Sequence, residues 1–161
     1  MSFYPSLFSP KNVRLGLTAG VSGGLIEILW ISFYSRLTGG DATVVARGIT
    51  EAIAAKSMQI IDPVMLGITI HMVLSAALGI LLVILTRRLF WRFANPIAET
   101  FSLVVMLGVV WGANFFVFLP AISPGFVEIV PYPVSLSSKL LFGLAAAFAC
   151  QTRRFSPVDL H

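Results

Sequence analysis

Three ionisable side chains and one amide interrupt otherwise apolar stretches of this sequence: Glu27, His71, Lys139 and Asn114. A carboxylate near an imidazole can exchange a proton with it, and an ammonium can pair with the carboxylate or hold an anion. In a bilayer such groups are costly, so each is a functional-site candidate by default. Measured from the ends of their apolar runs, at about 1.5 Å per helical residue, Glu27 and His71 lie ~10 Å deep and Asn114 and Lys139 ~8 Å deep. The four are therefore expected to form one polar layer in the outer half of the membrane. That layer either satisfies itself and fixes helix register, or binds a ligand or a proton. One histidine and one carboxylate are too few for a metal site, and none is predicted.

Small residues accompany three of these groups on the helical wheel. Gly16, Gly20, Gly23 and Gly24 share a face with Glu27, and Gly16 to Gly20 and Gly20 to Gly24 are GxxxG steps. Such steps let a neighbouring helix approach closely. His71 is flanked at four-residue steps by Gly67 and Ser75, with Gly79 following, and Lys139 aligns with Ser135, Gly143 and Ala146. Asn114 instead aligns with Leu107, Trp111 and Phe118, while Gly108 and Gly112 point elsewhere.

Other motifs carry less. The glycine-rich run 18–24 has neither the preceding strand nor the lysine of a phosphate loop. No Ser–His–Asp arrangement stands out, and His161 is terminal. The single cysteine, Cys150, excludes an internal disulfide and with it the four-helix disulfide oxidoreductases. No cofactor is predicted, although the aromatic stretch 111–118 could flank a lipid or quinone tail. A lone carboxylate, Glu27, in the first of four spans is similar to the small multidrug resistance exporters, a resemblance that implies proton coupling at that residue. The likeness ends there, because this chain has a long first connection and a strong Lys/Arg asymmetry.

The elements that must position these groups are transmembrane helices. Hydrophobic residues make up 57% of the 161 and charged residues 11%, against about 25% charged in a soluble domain. Apolar runs at about 13–34, 64–86, 97–119 and 134–152 approach or exceed the roughly 20 residues a spanning helix needs. Ser9-Pro10, Asp62-Pro63 and Asn95-Pro96 each offer a side-chain N-cap followed by proline at N1. The first run exceeds the apolar core of a signal peptide (about 7–15 residues) and is expected to remain as the first span.

Orientation follows from basic residues. Lys11, Arg14, Arg87, Arg88, Arg92, Arg153 and Arg154 fall on one side. Arg36, Arg47 and Lys56 fall on the other, balanced by Asp41, Glu51 and Asp62. Both termini are thus expected in the cytoplasm, in a bacterial inner (plasma) membrane. Phe3, Tyr4, Phe8, Phe90, Trp91 and Phe155 mark the inner interface, and Tyr34 and Tyr132 the outer one. The basic balance, 11 Lys and Arg against 7 acids, serves this asymmetry, and no nucleic-acid partner is expected.

The first outer connection, about 41–61, repeats Val45, Ile49 and Ile53 every four residues after Gly39-Gly40. A short amphipathic helix is predicted there. In the second, 120–133, four prolines are expected to forbid a regular helix, with 126–130 dipping into the interface or touching a partner. The chain thus reads as one all-α integral membrane domain, 1–161, built as a four-transmembrane-helix bundle in contact with lipid. Lacking any motif for a reaction, it is expected to be a non-catalytic accessory or structural subunit that associates with other membrane subunits or with itself. The alternative is a small proton-coupled transporter or ligand-binding membrane protein using the Glu/His/Lys/Asn layer.

Overall fold

The computed structural model describes residues 9–90 and 95–154, with the side chains of 89, 90, 153 and 154 excepted. Phe3, Tyr4, Phe8, Trp91, Arg92, Phe155 and His161 lie outside the described residues, as do the side chains of Phe90, Arg153 and Arg154. The described chain is helical: α1 Pro10–Thr38, α2 Thr43–Ala54, a 3-10 turn Ala55–Gln59, α3 Pro63–Phe90 and α4 Pro96–Ala113. A π-helical turn Asn114–Phe118 leads into α5 Leu119–Ile122, followed by α6 Phe126–Ile129 and α7 Tyr132–Arg154. Four helical stretches are long and apolar enough to cross a membrane: Pro10–Thr38, Pro63–Arg88, Pro96–Ile122 and Tyr132–Thr152.

The four stretches run slightly beyond the apolar runs from which they were expected, and at three of their starts a polar side chain caps the helix. Ser9 Oγ accepts from the Asn12 amide at 3.3 Å. Asp62 Oδ1 accepts from Val64 and Met65, and Asn95 Oδ1 from Ile97. These caps satisfy amides that would otherwise lack partners in the first turn. At its far end α1 stops at Gly39, whose φ of +70° few other residues adopt.

The packing order is set by glycine. α1 is sandwiched between α3 and α7, and α4 lies against α7. Gly16 and Gly20 of α1 meet Gly79, Ile80, Ser75 and Ala76 of α3 so closely that a Cβ on Gly20 would run into the α3 backbone. Gly24 seats Ser75, Gly23 lies under the Phe142 ring, and Gly143 of α7 receives Val104 and Leu107 of α4. Around these crossings Leu15, Ala19, Leu82, Leu103, Leu107 and Phe142 form the apolar core. The faces turned away from it are apolar too: Leu29, Val109 and Phe148 are among the exposed side chains. A helix apolar on all sides has lipid as its natural solvent.

Two connections differ from expectation. On α2 the buried residues are Ala46, Gly48 and Thr50, whereas Ile53 of the predicted apolar stripe is 58% exposed. Close approach explains the shift: Gly67 of α3 abuts the Ala46 carbonyl, and Thr50 Oγ1 donates to the Pro63 carbonyl at 2.6 Å. In 120–133 the prolines permit two single-turn helices, α5 and α6. Pro120 follows the π turn, where the Leu119 N–H bonds the Asn114 carbonyl and the hydrogen-bond ladder changes register. A residue without an N–H is tolerated at such a break. The stretch 126–130 folds back within the chain: Phe126 and Ile129 cover Gly48 of α2, and Val130 is buried.

Candidate functional site

α1 contributes the central group. Glu27 is 4% exposed and lies beyond the glycine run that brings both neighbouring helices close to α1. Its carboxylate is held from α7 by the Lys139 ammonium, 2.7 Å from Oε1 and 3.0 Å from Oε2. Ser138 Oγ donates to Oε1 at 3.1 Å. From α3, His71 Nε2 lies 3.7 Å from Oε2 and 3.3 Å from the Gly24 carbonyl. A carbonyl can only accept, so that contact makes Nε2 the protonated nitrogen. Three of the four groups expected in one layer are therefore in one cluster.

Asn114 is the exception. It opens the π turn of the α4 rod, its amide N–H bonding the Val110 and Trp111 carbonyls, and it does not line the cavity described below. Two features displace it. The α4 rod packs against α7 rather than α1, and from this stretch it is the neighbour Phe115 that lines the cavity.

The cluster forms one wall of a cavity of about 250 Å³ between α1, α3, α7 and α2. The remaining lining is chiefly apolar, with Ile28 and Ile31 from α1, Ile68 from α3, and Val45 and Ile49 from α2. Val45 and Ile49 of the predicted stripe thus serve as a ceiling. Ser32 and Ser135 add hydroxyls. On the Phe115 side an aromatic group stiffens the wall: Trp111 stacks on Phe115 with centroids 5.5 Å apart, and Phe116 stacks on Tyr132 at 5.6 Å. Trp111 Nε1 donates to Ser135 Oγ at 2.9 Å, which donates to the Tyr132 carbonyl. Trp30 Nε1 donates to the Val134 carbonyl at 3.0 Å and fixes the start of α7 against α1.

Ser138, Ser32 and Trp30 were not singled out by the sequence, and Phe115 only as part of the aromatic stretch 111–118. Neither was Glu99, which is buried in the first turn of α4, where the helix dipole favours a carboxylate. At that end Arg87 donates to Asn12 Oδ1, and Gln151 Nε2 donates to Thr100 Oγ1 at 3.0 Å. Among the described residues no group of three His, Cys, Asp or Glu side chains could hold a metal. Comparison with protein-family models, with curated proteins and with solved structures gave no match, so the geometry of the site is the ground on which function is read.

Proposed function

We propose that this chain is a small multi-pass membrane protein that binds a ligand at Glu27, His71 and Lys139 and couples its binding or passage to a proton. The observation that carries this reading is the cavity. An ion pair that merely fixed helix register needs no space beside it, and the space beside this one is partly open, so that a ligand could enter without the bundle unfolding. Here it faces about 250 Å³ of space with apolar walls, the form of a binding site for a small amphiphile. We propose a bacterial inner membrane as its setting, with cytoplasmic termini, an orientation that the basic-residue bias supports and in which the cavity would lie in the outer half of the bilayer.

The test begins with thermal unfolding of the purified full chain against small acids, alcohols and amines. At least one class raises Tm in the wild type and leaves Ile31→Trp, which fills the cavity, unmoved. In proteoliposomes holding a pH-sensitive dye, that compound then drives proton movement through wild type and none through Glu27→Gln. If Glu27→Gln only lowers Tm, with binding and proton movement intact, the cluster is a structural contact.

A second reading, an accessory subunit, rests on α4. Among the described residues a Cβ at Gly108 or Gly112 would meet open space, and glycines four apart are a face on which another membrane helix packs. It predicts that mild solubilisation recovers a stable helix-bearing partner that Gly112→Leu releases. Recovery of a lone monomer in several mild detergents counts against it.

A further inference from the structure

The cavity does not present its charges equally. The Glu27 side chain is 5% exposed, whereas those of Lys139 and His71 are 19% and 20% exposed. What a ligand meets first is therefore an ammonium and an imidazole, with the Ser32 hydroxyl beside them and the carboxylate behind. The Lys139 ammonium has three N–H donors, and the two Glu27 oxygens account for two of them. The third is left for another acceptor: the Phe142 ring lies 5.6 Å from the ammonium, and a ligand carboxylate would be the stronger one.

Resting on the ligand-site reading above, we propose that the cavity takes a small organic carboxylate together with one proton. The ligand's head group sits on Lys139 and its hydrocarbon lies along Ile28, Ile31 and Ile68. The proton requirement follows from charge. The titratable groups at the cavity are Glu27 from α1, His71 from α3 and Lys139 from α7, and α2 brings none to its lining. With Glu27 ionised, Lys139 protonated and His71 neutral, the cluster carries no net charge. An entering carboxylate would put two anions on one ammonium, and like charges sharing a buried site do not both stay ionised. A proton from solvent, taken onto the Glu27–His71 pair, restores neutrality. An amine would do the reverse: it would compete with Lys139 for Glu27 and expel a proton. An alcohol would exchange none. At about 250 Å³ the cavity is large enough for a small acid, and a six-carbon one serves as the probe.

The experiment is titration calorimetry of the full chain in lipid nanodiscs with hexanoate, 1-hexanol and hexylamine, using empty nanodiscs as the blank. Each is run in two buffers of different ionisation enthalpy, so that protons exchanged per ligand are counted. Hexanoate is expected to bind tightest with uptake of about one proton, because one added negative charge must be neutralised. Its affinity is expected to fall by roughly tenfold or more in Lys139→Met, the loss of one charged hydrogen bond, and to persist in Lys139→Arg. Tightest binding by hexylamine with proton release, or by hexanol with none, overturns the carboxylate assignment while leaving the ligand site standing. Binding of hexanoate without proton uptake overturns it as well, and this readout needs no variant. If none of the three binds, or if binding is unchanged in Ile31→Trp, the ligand site falls with it.

Discussion

Glu27 and Lys139 are the side chains on which the interior most depends, because each is the other's compensation. Removing one partner of a buried pair leaves an uncompensated charge and costs about 3–5 kcal/mol, whereas replacing both can be nearly neutral. Lys139→Met alone is therefore expected to lower stability by roughly that amount, and Glu27→Gln/Lys139→Met to recover most of it. Denaturant unfolding of the two singles and the double checks this, and additive losses would mean that the two groups act independently. The same contrast explains what could be read in advance. An ionisable residue inside an apolar run is conspicuous, so Glu27, His71 and Lys139 stood out. Hydroxyls give no such signal, since they satisfy themselves on their own helix: Thr69 donates to the Met65 carbonyl and Ser137 to the Pro133 carbonyl. Ser138 looks the same in sequence, and only the approach of α1 turns it toward Glu27. Asn114 joined the three ionisable groups by depth alone: its wheel neighbours are Leu107 and Trp111, and depth does not fix which side of a helix faces the bundle.

At the scale of elements, the spans were legible through apolar length and the three capped prolines, while the docking of α2 was not. Periodicity weighs large apolar residues, and the face that meets α3 is made of Ala46 and Thr50 because a small contact admits the closer approach. Gly67 is the critical position. A methyl there would strike the Ala46 carbonyl, and overpacking of this kind costs about 1–3 kcal/mol. Gly67→Ala is expected to lift α2 off α3 and let its backbone open, so that trypsin cleaves faster after Arg47, whose side chain is exposed already. Gly108→Ala, whose methyl would meet none of the described residues, should leave cleavage unchanged or make the chain slightly more stable. Equal cleavage of the two variants would show that α2 does not depend on this contact. The start of α2 also depends on pH. Asp41 is held below the usual carboxylate range, chiefly by the Thr43 hydroxyl, then by the Thr43 amide and the charge of Arg47. A carboxyl whose folded pKa is depressed stabilises the fold above its unfolded pKa, and that contribution is lost as pH falls through the folded value. Exchange of the Thr43 amide is thus expected to be steady near neutrality, after correction for the intrinsic rate, and to rise only below the usual carboxylate range. A rise near neutral pH would point to another group.

Across the whole molecule the two ends of the bundle are built differently. At one end Leu15, Leu82, Leu103, Phe142 and Cys150 close a dry core drawn from all four long helices. At the other, α1, α3 and α7 spread around the cavity, and α2 bridges the gap with α6 behind it. Local stability follows contact density, so hydrogen exchange in nanodiscs should be slowest near 82–86, 103–107 and 142–150 and faster in 43–54 and 126–130. A ligand adds contacts only where it sits. Hexanoate at saturating concentration should therefore slow 43–54 and 64–71, which ceil and wall the cavity, and leave 142–150 as it was. Protection confined to the packed end would mean that the ligand binds elsewhere. The division also bears on how a proton and a ligand could move. The closed core separates the cavity from the end carrying Asn12 and Arg87, so passage through the protein would require α1 to shift on α3 or α7. The glycine contacts at 16, 20 and 79 are where such a shift is sterically most constrained. Gly20→Ala should consequently lower stability in nanodiscs and, if the protein transports, reduce turnover more than it reduces hexanoate affinity. Equal loss of both would place the defect in the binding site itself, with α1 remaining fixed.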